Sequence, residues 1–134
     1  MNFEEKYELL LKAYNNAYAK YSNFNVGAVV ILKDGSYYLG ANVENASYGL
    51  ANCAERTALF SAYANGVRKE DIEELCLIAN TKSLAYPCGA CRQVILELMD
   101  KDAVVTICNI DKKVETVKVK DLLPNSFSED NLYE

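Results

Sequence analysis

Apolar residues recur at helical spacing along the first part of the chain. They lie at Phe3, Tyr7, Leu10, Leu11, Tyr14 and Tyr18. This spacing predicts an amphipathic helix over residues 3–19. Asn2, followed three residues later by Glu5, is typical of a capping box at a helix start.

The next segments alternate apolar runs with polar turns. The run FNVGAVVILKDG is rich in β-branched residues and closes on Asp34-Gly35, which predicts a buried strand entering a hairpin turn. SYYLGANVEN is its predicted partner. The runs EELCLIANT and AVVTICN predict two further buried strands, and the alternation in KKVETVKVKD predicts an edge strand.

Two further helices are predicted, over CAERTALFSAYANG, ending at Gly66, and over CGACRQVILELMD, just after Pro87. DLLP is too short to predict a helix, and the polar tail SFSEDNLYE is predicted to be loose. Buried strands between helices imply parallel crossovers and a sheet covered on both faces. The expected fold is therefore α/β, a three-layer α/β/α sandwich with a mixed sheet of about five strands, in one domain over residues 1–134.

Composition narrows the function classes. The chain has 134 residues, 51% of them hydrophobic and 25% charged, as in ordinary globular proteins. Its net charge of −5 opposes binding to a nucleic-acid backbone. No segment reaches the roughly 18 apolar residues that span a membrane. The charged N-terminal segment does not resemble a signal peptide, so a cytoplasmic location is expected.

The cysteines carry the candidate chemistry. There are five and no histidine, and the odd number argues against a complete disulfide framework. Cys53, Cys88 and Cys91 lie at two predicted helix starts that can meet at one end of the sheet, where three thiolates could bind Zn²⁺. Cys76 and Cys108 lie in apolar strands and are interpreted as small hydrophobic residues. Three ligands leave a fourth position for water, which is typical of a catalytic zinc site.

Two charged residues accompany Cys53. Arg56 could donate to the ligand sulfurs and offset their negative charge, or it could be a cation on the helix surface. Glu55 could shuttle protons beside the metal, or it could simply stabilise the helix N-terminus. Asn42 and Glu44 alternate along the chain, which places both side chains on one face of a strand, although they could also be ordinary polar groups at a strand end.

Several motifs resemble the small homotetrameric zinc-dependent cytidine deaminases. The likeness runs from Tyr21 through Phe127 and includes YSNFNVGA, NVENASYG, CAERTALF, PCGACRQV and LLPNSF. It implies a single catalytic domain that hydrolyses cytidine and deoxycytidine to the uridine forms with release of ammonia, in pyrimidine salvage. The implied partners are a small nucleoside and other copies of the chain, with neither nucleic acid nor membrane.

The resemblance also implies roles for individual residues. Cys53, Cys88 and Cys91 match zinc ligands, Glu55 matches the general acid/base, and Arg56 matches the arginine that neutralises the thiolates. The implied substrate-binding positions are the Ala54 N–H for the base carbonyl, Asn42 and Glu44 for the ribose, Phe24 beside the base, and Tyr48 and Phe127 in a neighbouring subunit's pocket.

Other interpretations remain open at this point. Cys88 and Cys91 have the spacing of a redox dithiol. A structural zinc module would need a fourth protein ligand. A related deaminase could act on a modified nucleoside or a nucleic acid. Phe24 and Tyr48 could be ordinary core or surface aromatics, and Phe127 could pack on its own core.

Overall fold

A computed structural model describes residues 1–132. The helices are α1 (Phe3–Asn15), α2 (Ala54–Ala64), α3 (Gly89–Leu98), α4 (Val119–Leu122) and α5 (Glu129–Leu132). The strands are β1 (Val26–Leu32), β2 (Tyr37–Ala41), β3 (Ile72–Ala79), β4 (Val104–Asn109) and β5 (Val114–Lys118). Short 3₁₀ turns cover Tyr48–Leu50 and Lys69–Asp71.

The five strands form one mixed sheet in the order β2-β1-β3-β4-β5. Strand β1 is antiparallel to both β2 and β3, β3 is parallel to β4, and β4 is antiparallel to β5. Strands β2 and β3 therefore run in the same direction, so α2 and α3 are both parallel crossovers. The predicted mixed sheet is confirmed, with β5 at one edge.

Helices cover both faces of the sheet. Helix α1 packs on one face, where Tyr7 and Leu10 meet the side chains of β1, β3 and β4. Helices α2 and α3 pack on the other face, where Leu59 and Ile95 join the larger apolar core. The three-layer arrangement follows from the apolar runs, since strands buried on both faces need a helix layer on each side.

Helix α2 lies unusually close to β2 because of Gly40. A Cβ atom at Gly40 would come within 2.6 Å of the Ala54 carbonyl oxygen and would also clash with the backbone of Ala58. Gly40 therefore permits the close approach that places the first turn of α2, and the residues beside it, against the sheet.

Local predictions differ from the structure at three points. Helix α1 has the predicted capping box but ends at Asn15, because the backbone of Tyr18 instead bonds to Asn42 and Glu44 in a bridge beside Val43. The short helix α4, which was not predicted, contains part of DLLP. The tail prediction is wrong where α5 forms, and its last two residues, 133–134, lie outside the described part.

Within residues 1–132, none of the helices combines the length and the apolar character that crossing a membrane requires.

Candidate active site and metal centre

Three cysteine side chains meet at one end of the sheet. The Sγ atoms of Cys53, Cys88 and Cys91 all lie within 4.8 Å of one another. Cys53 is the N-cap residue of α2 and Cys88 that of α3, while Cys91 is buried in the first turn of α3. Because β2 and β3 run in the same direction, the helices that follow them start at the same sheet end, and the cysteines converge there.

Hydrogen bonds and charge within this group favour thiolate at Cys53. A hydrogen bond from Cys91, helped by the guanidinium of Arg56, outweighs the opposing effect of burial and holds the pKa of the Cys53 thiol well below its usual range. The same hydrogen bond, together with burial, raises the pKa of Cys91. Nη2 of Arg56 donates to Sγ of Cys53 at 3.3 Å, and this contact raises the pKa of Arg56.

The donor set fits a zinc ion. Three sulfurs at this spacing suit the sulfur-rich coordination that Zn²⁺ accepts. In the described part of the chain, no histidine, carboxylate or further cysteine joins the three sulfurs as a fourth ligand. Nε of Arg56 is buried and has no hydrogen-bond partner within residues 1–132, so a donor remains near the thiolates. This set therefore leaves one coordination position open, which distinguishes it from a closed structural site.

A cavity of about 340 Å³ opens beside the sulfurs. Cys53 and Cys88 line it, and so do Ala54 and Glu55 from the first turn of α2. Glu55 is only 6% exposed, and burial raises the pKa of its carboxyl group. A carboxyl group that keeps a proton closer to neutral pH is suited to general acid/base chemistry.

The cavity also brings Asn42 and Glu44 together, as their spacing predicts. Asn42 is buried, its Oδ1 accepts from the N–H of Val26, and its Nδ2 donates to the carbonyl of Phe24. The Glu44 carboxylate is bound by the segment Tyr21–Ser22. Their segment is fixed on both sides, since Val43 pairs with Asn52 and Tyr18 bonds to both residues flanking Val43.

The aromatic candidates fall into two groups. Phe24 lines the cavity of its own chain. Tyr48 and Phe127 are not among the residues that line it, and they are 78% and 60% exposed. Tyr48 contacts the ring of Tyr21 edge to face, with centroids 6.3 Å apart. The backbone carbonyl of Phe127 accepts from Gln93 on α3, which attaches this part of the chain to the fold.

Sequence reasoning gave no role to several residues that line the cavity. Ser22, Asn52 and Tyr86 are the polar ones. Asn52 donates to the hydroxyl of Thr57, which in turn donates to the carbonyl of Cys53 and so stabilises the start of α2. These residues carry no metal-ligand or acid/base signal, and only the position of Ser22 within YSNFNVGA and of Asn52 directly before CAERTALF could have identified them.

Cys76 and Cys108 lie apart from the sulfur cluster. Both are buried in the layer beneath α1, as the apolar runs predict. Burial is the first cause of the raised pKa of each thiol, so both stay protonated and act as apolar side chains with weak donors. Their thiols contact Glu74 and the carbonyl of Leu77 respectively.

Comparisons with known proteins agree with this geometry. The family described as "Cytidine and deoxycytidylate deaminase zinc-binding region" matches residues 2–107. The chain is 48% identical to a cytidine deaminase of Halalkalibacterium halodurans over 91% of both chains. It is 44% identical to one from Sporosarcina psychrophila, with 90% of this chain and 88% of the relative covered.

A solved structure extends the likeness to the fold. The crystal structure of cytidine deaminase from Burkholderia pseudomallei superposes with a TM-score of 0.92 and 46% identity, covering 95% of this chain and 100% of the other. The matched region contains all three clustered cysteines and the cavity residues before them. On these grounds the chain belongs to the cytidine and deoxycytidylate deaminase family.

Proposed function

We propose that this protein catalyses the zinc-dependent hydrolysis of cytidine and deoxycytidine to uridine and deoxyuridine, with release of ammonia. The observation that carries the proposal is the position of buried Glu55 beside three convergent sulfurs, in a cavity that also contains Asn42 and Glu44. The relatives named cytidine deaminase support it.

Cys53, Cys88 and Cys91 are the proposed zinc ligands, and zinc there would supply Lewis acidity, which lowers the pKa of water from about 15.7 toward neutrality. Arg56 donates to Cys53 and moderates the negative charge of the three thiolates. Without such a donor, three thiolates would weaken the acidity that the reaction needs.

Glu55 is the proposed proton shuttle. Its carboxylate takes a proton from the attacking water and delivers it to N3 of the cytosine ring. It then helps protonate the amine that leaves C4 as ammonia, so that water and cytidine give uridine and ammonia. The burial that raises its pKa favours the protonated form that this delivery uses.

The remaining cavity residues are proposed to bind and orient the nucleoside. The N–H of Ala54, in the first turn of α2, donates to the carbonyl of the base. Phe24 flanks the base, and stacking of this kind is worth about 1–3 kcal/mol. Asn42 and Glu44 bind a sugar hydroxyl, and their fixed segment reduces the ordering that binding requires.

We also propose a homotetramer in which Tyr48 and Phe127 enter a neighbouring subunit's cavity. Large exposed apolar side chains support an association surface, and they include Tyr48, Leu50 and Phe127. The chain is taken as one catalytic domain over residues 1–134 that works in the cytoplasm, in pyrimidine salvage. Reduced thiols, which the metal site needs, persist in that compartment.

A complementation experiment tests the shared site. Glu55→Gln chains lack the proton shuttle, Phe127→Ala chains lack the aromatic ring, and each should be impaired alone. Refolded mixtures should regain activity beyond the sum of the two, because some sites combine Glu55 of one chain with Phe127 of another. No gain in verified mixed assemblies would show that Phe127 does not serve a neighbour.

Substrate choice is tested by ammonia release from cytidine, deoxycytidine, cytosine, adenosine and single-stranded DNA, together with zinc analysis. The proposal expects about one zinc per chain and turnover of the two cytosine nucleosides alone. Dithiol reductase activity without bound zinc would favour the redox interpretation of Cys88 and Cys91. Turnover of single-stranded DNA would indicate a deaminase that acts on polynucleotides.

A further inference from the structure

The segment Tyr21–Ser22 surrounds one carboxylate. Oε1 of Glu44 accepts from the backbone N–H groups of Tyr21 and Ser22, at 3.0 and 3.1 Å. Oε2 of Glu44 accepts from the hydroxyl of Ser22. Ser22 therefore contacts both oxygens, one through its backbone and one through its side chain. Ser22 and Glu44 also line the cavity beside the sulfur cluster.

Ser22 orders its own loop as well. Its hydroxyl oxygen accepts from the N–H of Phe24 at 3.0 Å, as in the serine turns that fix short loops. The next residue, Asn23, has a positive φ of 56°, and its carbonyl accepts from the side chain of Asn80. One hydroxyl thus links Glu44 to the segment that carries Phe24 into the cavity.

The carboxylate of Glu44 keeps part of its hydrogen-bonding capacity for a ligand. A carboxylate has about four lone-pair sites. Three are used at Glu44, two on Oε1 and one on Oε2. One acceptor site on Oε2 therefore remains, and its direction depends on where the Ser22 hydroxyl holds that oxygen. The hydrogen bond from Ser22 is also the first cause of the lowered pKa of Glu44, which keeps the carboxylate ionised.

We propose that Ser22 is a positioning residue whose hydroxyl fixes the carboxylate of Glu44, so that its single remaining acceptor site binds one hydroxyl of the nucleoside sugar. This inference rests on the proposed function. Ser22 itself need not touch the reacting atoms. It acts through Glu44, and its effect on turnover should depend on a particular hydroxyl of the substrate.

The test compares Ser22→Ala with the wild-type enzyme on cytidine and on its 2′-deoxy, 3′-deoxy and 5′-deoxy analogues. The Ser22–Glu44 hydrogen bond is exposed to solvent, so its loss should have the effect of an ordinary hydrogen bond and lower kcat/KM for cytidine roughly three- to tenfold. The rise in KM should exceed the fall in kcat, because the sugar contact is present in both the ground state and the transition state. The loss should vanish for the one analogue that lacks the hydroxyl bound by Glu44.

Two further variants separate this role from a general effect on the loop. Ser22→Thr keeps the hydroxyl and should recover most of the lost kcat/KM. In a Glu44→Ala background, Ser22→Ala should cause no additional loss, since its route of action is already removed. Because Ser22 is exposed, thermal unfolding of Ser22→Ala should match the wild type.

Ser36→Ala is the matched control. The hydroxyl of Ser36, like that of Ser22, donates to a carboxylate, but this carboxylate is that of Asp34 in the hairpin turn between β1 and β2. It should leave kcat/KM unchanged for every analogue.

Three results would overturn the inference. The first is an equal loss of kcat/KM for all analogues in Ser22→Ala. The second is a full additional loss when Ser22→Ala is made in the Glu44→Ala background. The third is a Ser22→Ala enzyme with unchanged kcat/KM while the wild-type enzyme is active. A wild-type enzyme that deaminates no cytosine nucleoside would remove the proposed function as well, so the two failures are distinguishable.

Discussion

The guanidinium of Arg56 donates from Nη2 to Sγ of Cys53 at 3.3 Å. Its Nε is buried and has no hydrogen-bond partner within residues 1–132. The cation therefore lies beside the sulfur cluster with one N–H group that is not yet used. A positive charge at this point offsets the thiolates, and the hydrogen bond fixes the orientation of the sulfur.

Replacing Arg56 by Gln should therefore weaken the metal site without unfolding the protein. We expect zinc affinity or kcat/KM to fall by about 10- to 100-fold, the usual cost of losing a group that supports a metal ligand. Competition with a chelator and steady-state kinetics measure the two quantities. Arg68→Gln is the control, since Arg68 lies over the ring of Tyr63 near the C-terminus of α2, at the opposite end of that helix from Cys53. Unchanged zinc affinity and rate in Arg56→Gln would make Arg56 a surface cation.

Single cysteine replacements should divide into two classes. Cys53→Ala, Cys88→Ala and Cys91→Ala should each lose zinc and activity, because each removes one of three proposed ligands. Cys76→Ala and Cys108→Ala should retain zinc and lose only about 1–2 kcal/mol of stability from a small buried void. Zinc content per chain and thermal unfolding distinguish the classes. Release of zinc from Cys108→Ala would contradict the assignment.

The sequence predicted the sheet and the convergence of the cysteines because both depend on local patterns. Apolar runs mark strands, and Cys53 and Cys88 each lie directly before a helix that follows a strand. It did not predict the end of α1, because Tyr18 continues the helical spacing while its backbone pairs with a distant segment. The role of Ser22 was missed for the same reason. Its partner, Glu44, is 22 residues away, and a serine in a loop has no signature of its own.

Gly40 is expected to control the position of the site through the packing of α2 against β2. In Gly40→Ala the new Cβ would lie within 2.6 Å of the Ala54 carbonyl and must move α2 outward. We expect a loss of about 1–3 kcal/mol, typical of overpacking, and a lower kcat because Glu55 moves with the helix. Gly49→Ala is the control, since a Cβ there meets no atom within 4 Å. Wild-type stability in Gly40→Ala would show that the helix can adjust freely.

A partly buried ion pair between α1 and β3 should make stability depend on pH. Nζ of Lys6 lies 2.7 Å from Oε1 of Glu74, and Oε2 of Glu74 accepts hydrogen bonds from Thr106 and Cys76. Burial opposes the charge of Glu74, but the contacts with Lys6, Thr106 and Cys76 outweigh it and lower its pKa below 4.5. Burial likewise opposes the charge of Lys6, but Glu74 raises its pKa above 10.5.

Because the folded-state pKa of Glu74 is lowered, its contribution is complete above about pH 4.5 and is lost as the pH falls through the folded value. The contribution of Lys6 is complete below about pH 10.5 and is lost at higher pH. Glu74→Gln should therefore reduce stability near neutral pH by about 1–2 kcal/mol and flatten the acid limb. Denaturant unfolding between pH 3 and 7 measures this, with the exposed Glu73→Gln as control. An unchanged acid limb would exclude Glu74 as a source of the pH dependence.

Glu55 is proposed to move protons beside a metal held by the three cysteines. The most direct test of this role is Glu55→Gln, measured by ammonia release from cytidine and by zinc content in the same sample, with the exposed Glu97→Gln as control. We expect wild-type zinc content and a rate lowered by at least about 10²-fold, because the size and polarity of the side chain are kept while its titrating group is lost. Near-normal turnover would contradict the role of Glu55, and loss of zinc would indicate that Glu55 is itself a ligand.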